Sequence, residues 1–243
     1  MRAIAAFGAT LGVGAVVGRL TPAGAPLRRA AARHARAALR IAGLRPRVTG
    51  LARIPEGAAI LIANHASYLD PIVCQATLPV DTRFAVKGEL RDNPVLGPLV
   101  PKAGHVLIDR HAALRSLADL EELSRLLADG ARVLLFPEGT FTPEVGMRPF
   151  KLGAFRLACE TGVPVVPIAL RGTRSAWRDG TRLPRRARIE VEVLEPITPI
   201  GRDLADIVDL RDRVAAVIAA HLDEPRLYAA DITVPGGRSR DAG

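Results

Sequence analysis

Short apolar runs alternate with amphipathic segments from about residue 46 onward, and few folds accommodate such a pattern. Ala58–Ala63 (AAILIA) and Arg132–Phe136 (RVLLF) are apolar enough to be buried strands. Leu114–Ala128 and Lys151–Thr161 have the spacing of amphipathic helices, and a glycine that can end the helix follows each of them closely. Strands that alternate with helices predict an α/β domain in which helices flank a mixed, largely parallel sheet.

The other segments extend this pattern. Arg83–Val86 is a further predicted strand, and Pro71–Leu78 and Leu204–Leu222 are predicted helices. Val163–Leu170 (VPVVPIAL) is a predicted strand whose prolines place it near a sheet edge or an irregularity. Arg188–Leu194 alternates polar and apolar residues, which predicts a half-exposed strand.

The positive charge is concentrated at the start of the chain. The protein has 243 residues and a net charge of +9, and its first 50 residues contain nine arginines but no Asp or Glu. A basic arm beside an apolar run predicts contact with an anionic membrane surface, with a solvated arm as the alternative. Nucleic acid is disfavoured, because the arm has no interleaved aromatic residues and no recognition motif follows it.

An apolar run, Ala3–Gly18, precedes most of these arginines. It is shorter than the roughly 20 residues that a spanning helix needs. We predict a membrane-embedded hairpin or anchor that turns at Thr21–Gly24, followed by an arginine-rich helix over 27–43 that lies on lipid head groups. A signal peptide cleaved near Ala23-Gly24-Ala25 is the alternative.

These features divide the chain into three parts. Residues 1–45 are predicted to form membrane-associated helices, residues 46–224 the folded domain, and residues 225–243 a flexible tail. Cys74 and Cys159 are too few for a disulfide scaffold, and their spacing fits no common zinc or redox motif. We therefore expect two buried thiols.

A candidate general base follows the first apolar run. His65 stands at the end of the predicted strand, and Asp70 comes five residues later, directly before Pro71. On one continuous helix that spacing would place the two side chains about 140° apart. The pair works if His65 lies in the loop and Asp70 opens the helix, with one carboxylate oxygen capping the helix and the other holding the imidazole. A core histidine without a catalytic role is the alternative.

Two further segments place polar groups after predicted strands. Arg110 ends a short apolar stretch, and its guanidinium suits a phosphate, although a surface ion pair is the plainer interpretation. Glu138, Gly139 and Thr140 follow the strand at Arg132–Phe136. The carboxyl ends of strands are where α/β folds tend to bind ligands, and an ordinary loop is the alternative.

Together and in this order, these segments resemble the glycerophospholipid acyltransferase family, in particular the bacterial 1-acylglycerol-3-phosphate acyltransferases. The resemblance extends over about residues 45–200 and implies a glycerol-3-phosphate acyltransferase-like fold. It rests on four motifs, Asn64-His65-x4-Asp70, Gly104-x3-Ile108-x-Arg110, Phe136-Pro137-Glu138-Gly139-Thr140 and Val163-Pro164-Val165-Val166-Pro167-Ile168.

The resemblance implies that His65 deprotonates the free hydroxyl of a lysophospholipid and that Asp70 orients His65. The hydroxyl then attacks the thioester of acyl-CoA or acyl carrier protein, without a metal or bound cofactor, at the cytoplasmic face of the cell membrane. The residues implied to bind the acceptor are Arg110, Glu138, Gly139 and Thr140, with Lys151 as a further candidate.

Two neighbouring positions depart from the family pattern. Phe141 and Thr142 stand where arginine and serine are common, and Arg148 and Lys151 are the nearby basic residues that could replace the missing charge. 1-Acylglycerol-3-phosphate is the expected acceptor, and another lysolipid, such as a lyso-ornithine lipid, is the alternative. A thioesterase or serine hydrolase is disfavoured because Gly-x-Ser-x-Gly is absent, and a non-catalytic lipid-binding protein would not need the His65–Asp70 pair.

Overall fold

The computed structural model describes residues 14, 16–108, 117–140, 142, 144–177 and 184–227. Its centre is a seven-stranded, largely parallel sheet with helices on both faces, which confirms the predicted α/β class. The strands are β1 (Arg47–Thr49), β2 (Ala59–Ala63), β3 (Arg83–Lys87), β4 (Val106–Ile108), β5 (Arg132–Leu135), β6 (Val165–Arg171) and β7 (Glu190–Val193).

The predicted helices are also present, within a few residues of their expected bounds. Residues 16–20 are helical as well, and two 3-10 helices cover Leu51–Arg53 and Gly88–Asp92. The α-helices are α1 (Ala25–Ile41), α2 (Asp70–Thr77), α3 (Leu99–Lys102), α4 (Leu117–Ala128), α5 (Gly153–Thr161), α6 (Thr173–Ala176) and α7 (Leu204–Ala219).

The strands lie in the order β1-β7-β6-β2-β5-β3-β4. The five strands from β6 to β4 are parallel, whereas β7 pairs antiparallel with β6 and carries β1 beside it. The carboxyl ends of the five parallel strands therefore meet at one edge of the sheet, with β2 between β6 and β5. The loops that follow these three strands come together at that edge.

The alternate residues of β2 contribute to two separate cores, and all five residues of the strand are buried. Ala59, Leu61 and Ala63 pack with α1 and α2 on one face of the sheet. Ile60 and Ile62 pack with α4, α5 and α7 on the other. Burial on both faces explains why β2 is an unbroken apolar run, as expected for a central parallel strand.

Strand β6 lies inside the sheet rather than at its edge, and its prolines mark an irregularity. β6 pairs with β7 through Ile168 and Val193, and pairing resumes at Val165 and Ile197. Between these pairs, two residues of β6 oppose three residues of the partner segment, which is a bulge. Pro167 lies at this interruption, where its carbonyl still accepts a hydrogen bond from the Leu194 amide.

Helix α1 packs against the domain along one face and exposes arginines on the other. Its buried face includes Leu27 and Leu39, and it packs against α2. Arg28 is also buried, and its guanidinium donates to the carbonyls of Val80 (3.0 Å) and Ala103 (2.7 Å). The exposed arginines of α1 are Arg29, Arg33, Arg36 and Arg40.

Among the described residues, no helix has the length and apolar character needed to cross a membrane. Most of the apolar run Ala3–Gly18 lies outside the described residues, so the predicted hairpin or anchor stays a prediction, as does the division into residues 1–45, 46–224 and 225–243.

Substitution of Arg28 tests how α1 is held to the domain. We expect Arg28→Met to lower the free energy of unfolding by about 1–3 kcal/mol, because two buried carbonyls lose their donor. The exposed neighbour provides the control, since Arg29→Met should change stability by less than about 0.5 kcal/mol. Urea unfolding of both variants measures the difference, and equal midpoints would contradict a stabilising role for the buried guanidinium.

Candidate active site

Two of the polar residues predicted from the sequence, His65 and Glu138, lie at the carboxyl edge of the sheet. His65 is in the loop between β2 and α2, and Glu138 is in the loop that follows β5. The loop after β6 begins at Gly172 on the other side of His65. The central strand therefore presents His65 between two neighbouring loops, which is the usual position for a ligand in a parallel sheet.

His65 and Asp70 form the predicted pair. His65 Nδ1 lies 2.9 Å from Asp70 Oδ2, and the two side chains are 6% and 0% exposed. A carboxylate accepts hydrogen bonds, so this contact assigns the proton to Nδ1 and the lone pair to Nε2. An imidazole oriented in this way has the form of a general base.

The carboxylate of Asp70 does not cap the helix, contrary to the expectation from sequence. Asp70 is the first residue of α2, and the N-cap position is held by Leu69, without a side-chain cap. Oδ2 instead accepts from the imidazole and also from the amides of Ala66 (2.6 Å) and Ser67 (2.8 Å). One oxygen thus fixes the whole turn that leads from β2 into α2.

Asn64 anchors the start of this turn. Its Nδ2 donates to the Leu170 carbonyl at 3.0 Å, and its Oδ1 accepts from the Leu170 amide at 2.8 Å. A side-chain amide can pair with both backbone groups of a neighbouring strand because it offers a donor and an acceptor together. The motif alone does not predict this role for Asn64, although an amide side chain directly after a wholly apolar strand is a usable signal.

The aromatic ring of Phe136 supports the imidazole from one side. The ring centroids of Phe136 and His65 are 4.5 Å apart, with an angle of 27° between the planes. Phe136 is buried, directly after β5. The stacking limits rotation of the imidazole about its Cβ–Cγ bond, so the orientation of His65 depends on both Asp70 and Phe136.

Glu138 joins the two loops through backbone amides. Its Oε1 accepts from the His65 amide (2.6 Å) and its Oε2 from the Arg148 amide (2.8 Å). The side chain is buried, and desolvation raises its pKa to about 8, although the two amide donors act in the opposite direction. This geometry favours a positioning role for Glu138 rather than the acceptor contact that the resemblance implied.

Gly139, Thr140 and Lys151 lie together beyond Glu138, and Thr140 is exposed. Gly139 has a φ of +79°, and a Cβ atom there would lie 2.7 Å from Lys151 Nζ. The lysine side chain therefore lies against the glycine of the loop. Arg110, the other predicted phosphate ligand, lies outside the described residues.

Arg174 holds the next part of the same loop, which sequence analysis did not foresee. Its guanidinium donates to the carbonyls of Thr142 (3.0 Å) and Gly146 (3.1 Å) and forms an ion pair with Glu224 at 2.9 Å. These contacts connect the loop after β5 with α6 and with the segment that follows α7. Across the described part of the chain, no group of three His, Cys, Asp or Glu residues is arranged to bind a metal ion.

Residues 45–171, more than half of the chain, match the protein-family model described as Acyltransferase. The chain belongs to the acyltransferase family. The matched region contains every site residue from Asn64 to Lys151 and also Leu170, whereas Gly172, Arg174 and Glu224 lie beyond it. The resemblance drawn from the sequence motifs is thereby confirmed.

Several members of the acyltransferase family are similar to this chain. It is 36% identical over 140 residues to the 1-acyl-sn-glycerol-3-phosphate acyltransferase of Limnanthes alba, covering 57% of this chain and 50% of the relative. It is 33% identical over 174 residues to the 1-acyl-sn-glycerol-3-phosphate acyltransferase alpha of Ovis aries, covering 71% and 61% of the two. The chain thus spans about half to three fifths of these relatives.

A solved structure has a similar fold. The 1-acyl-sn-glycerophosphate (LPA) acyltransferase PlsC from Thermotoga maritima is 25% identical to this chain and superimposes with a TM-score of 0.69. The similarity covers 80% of this chain and 78% of PlsC. The predicted fold resemblance is therefore confirmed over most of the molecule.

The two amide contacts of Glu138 can be tested in this member of the acyltransferase family by Glu138→Gln. Glutamine has a single acceptor oxygen, so the amide of His65 or of Arg148 would face an NH2 group. We expect the free energy of unfolding to fall by about 1–3 kcal/mol at pH 5, measured by urea unfolding. The exposed residue Glu160, changed to Gln, is the matched control and should have little effect.

The effect of Glu138→Gln on the free energy of unfolding should depend on pH, because the wild-type carboxyl titrates and glutamine does not. Because the pKa of Glu138 is raised to about 8, the folded protein retains a proton that the unfolded chain releases above about pH 4.5. The stability contributed by this carboxyl therefore decreases as pH rises towards 8, by at most about 1.4 kcal/mol per pH unit. From pH 5 to 7.5 wild type should lose about 3 kcal/mol relative to Glu138→Gln, enough to cancel or reverse its advantage, and a constant difference would contradict the raised pKa.

Proposed function

We propose that this protein transfers a fatty acyl group from a thioester donor to the free hydroxyl of a lysophospholipid, with 1-acylglycerol-3-phosphate as acceptor and phosphatidic acid as product. The observation that carries the proposal is the buried His65–Asp70 pair at the carboxyl edge of the sheet, within the region that matches the family. The names of the similar proteins support the choice of acceptor.

The proposed reaction needs no nucleophile from the enzyme. Nε2 of His65 accepts the proton of the acceptor hydroxyl while its oxygen bonds to the thioester carbonyl carbon. Asp70 stabilises the imidazolium that forms. The tetrahedral intermediate collapses with cleavage of the C–S bond, and the leaving sulfur takes the proton from the imidazolium to give a free thiol.

The acceptor phosphate is proposed to lie on the β5 side of His65. Lys151 supplies a positive charge there, and Gly139 and Thr140 form the adjoining loop. Arg110 follows β4, whose carboxyl end lies at the same edge of the sheet, and it is proposed as a second phosphate ligand. Lysine and arginine both suit a phosphate, and arginine can bind two oxygens at once.

The first experiment is an acyl-transfer assay with a panel of acceptors. Purified protein in detergent is incubated with palmitoyl-CoA and a series of lysolipids, including 1-acylglycerol-3-phosphate and lyso-ornithine lipid, and products are identified by mass spectrometry. We expect a diacyl product from 1-acylglycerol-3-phosphate and a loss of at least about 100-fold in rate for His65→Ala.

The histidine of α1 provides the matched control, since His34→Ala should retain wild-type activity. Turnover of another lysolipid without turnover of 1-acylglycerol-3-phosphate would replace the proposed acceptor, as the departure at Phe141 and Thr142 allows. Full activity of His65→Ala would overturn the mechanism. Absence of product with palmitoyl-CoA and with palmitoyl acyl carrier protein would overturn the activity.

We also propose that the protein works at the cytoplasmic face of the membrane, with α1 at the lipid surface. The exposed arginines on one face of α1 support this placement, because each basic residue near an anionic surface contributes about 1 kcal/mol of attraction.

Sedimentation with phosphatidylglycerol vesicles tests the placement of α1. The triple change of Arg29, Arg33 and Arg40 to Gln should reduce the bound fraction strongly at low salt, because these residues contribute most of the exposed charge of the helix. The matched control changes Arg125, Arg156 and Arg202, which are equally exposed, to Gln. Equal loss of binding in both variants would contradict a specific role for α1.

A further inference from the structure

A second polar region lies on the opposite side of His65 from Lys151. A cavity of about 640 Å³ opens at the carboxyl ends of β2 and β6. Asn64 and Ala66, which flank His65 in the sequence, form part of its wall, and the residues after β6 form much of the rest. The volume is within the range of roughly 300–1,000 Å³ found for small-molecule sites.

The order of the strands places most of this cavity on the other side of β2 from the proposed acceptor region. β2 lies between β5 and β6, so the loop that follows β5 and the loop that follows β6 approach His65 from opposite directions. Lys151 and Gly139 belong to the β5 side. Most of the cavity lining belongs to the β6 side, through Gly172 and Thr173, and Val145 of the loop after β5 completes the wall. The candidate base therefore has two polar regions as neighbours, which adjoin at that loop.

Four arginines line the cavity, and two of them are engaged in ion pairs. Arg171 pairs with Glu190 and Glu192, and Arg174 pairs with Glu224. Asp223 and Glu224 line it as well. Arg185 and Arg186 also line it, are exposed, and form no ion pair with any described residue.

A buried hydroxyl adds a polar group to the lining. Thr173 is 1% exposed, and its Oγ1 has no hydrogen-bond partner among the described residues. A buried hydroxyl without a partner is unfavourable by about 1–3 kcal/mol, so such groups commonly mark a site where a ligand or water completes the bonding. The charge of Arg185 and Arg186 indicates that the ligand is an anion.

We infer that this cavity holds the phosphate-bearing arm of the acyl donor, an inference that rests on the proposed function. A direct transfer requires both reactants to be bound at once, one on each side of the base. The acceptor is proposed to occupy the β5 side, so the thioester approaches from the β6 side, with its phosphopantetheine arm along the cavity. Arg185 and Arg186 bind phosphate groups of the donor. Coenzyme A and acyl carrier protein share the pantetheine phosphate, whereas the nucleotide phosphates belong to coenzyme A alone.

The test is the double variant Arg185→Ala/Arg186→Ala, compared with wild type and with Arg156→Ala, an exposed arginine on α5. We expect the KM for palmitoyl-CoA to rise at least tenfold, with the KM for the lysolipid and kcat within twofold of wild type. Palmitoyl-pantetheine, which has no phosphate, should be used equally well by both enzymes. Arg156→Ala should match wild type throughout.

The same variants are assayed with palmitoyl acyl carrier protein to distinguish the two phosphate sources. A raised KM for both donors places the shared pantetheine phosphate at the arginines, and a raised KM for palmitoyl-CoA alone places its nucleotide phosphates there. Both outcomes support the inference. An unchanged KM for both donors, or a raised KM for the lysolipid alone, overturns it.

Calorimetric titration with coenzyme A separates failure of this inference from failure of the proposed function. We expect wild type to bind coenzyme A at least tenfold more tightly than the double variant, and Thr173→Val to weaken binding in the same direction. Binding by wild type without any acyl transfer would leave the cavity assignment standing and overturn the activity. Equal affinity of wild type and the double variant would overturn the cavity assignment, even in an active enzyme.

Discussion

A single carboxylate oxygen fixes the turn on which the candidate site depends. Asp70 Oδ2 accepts hydrogen bonds from the imidazole of His65 and from the amides of Ala66 and Ser67, all within 2.9 Å. Burying a carboxylate completely costs several kcal/mol, and charge-assisted hydrogen bonds are the interactions that offset such a cost. The turn and the imidazole orientation are therefore coupled, because disturbing the turn removes donors from the same oxygen that holds the ring.

The segment after β5 supports the same histidine in two further ways. Phe136 stacks on the imidazole, while Glu138, two residues later, binds the backbone amide of His65. Glu138 also binds the Arg148 amide, so the loop that contributes to the proposed acceptor region is fixed to the loop that carries the base. The family resemblance associates this segment with substrate binding, but its observed contacts show that much of it holds His65 in place.

The sequence was sufficient for the parts of the structure that depend on local patterns. The unbroken apolar run of β2 and the proline after Asp70 predicted the strand, the start of α2 and the His65–Asp70 pair. The role of Glu138 could not be predicted, because its partners are backbone amides 73 and 10 residues away, and amides leave no trace in a side-chain pattern. Arg28 was assigned to a lipid-facing arm for a similar reason, since the carbonyls that bind it belong to distant residues. β1 is only three residues long, and its pairing with β7 depends on contacts that span most of the chain.

The position of β2 explains how one histidine could serve two substrates. Transfer without an enzyme nucleophile has no covalent acyl-enzyme intermediate. The acceptor must therefore be bound at the same time as the acyl donor. A base at an edge strand would have one neighbouring loop, whereas β2 has β5 on one side and β6 on the other. Asn64 secures the turn to β6 through Leu170, and Glu138 secures it to the loop after β5. Strand β6 and the loop after β5 are thus both held to the turn that carries His65 by direct hydrogen bonds.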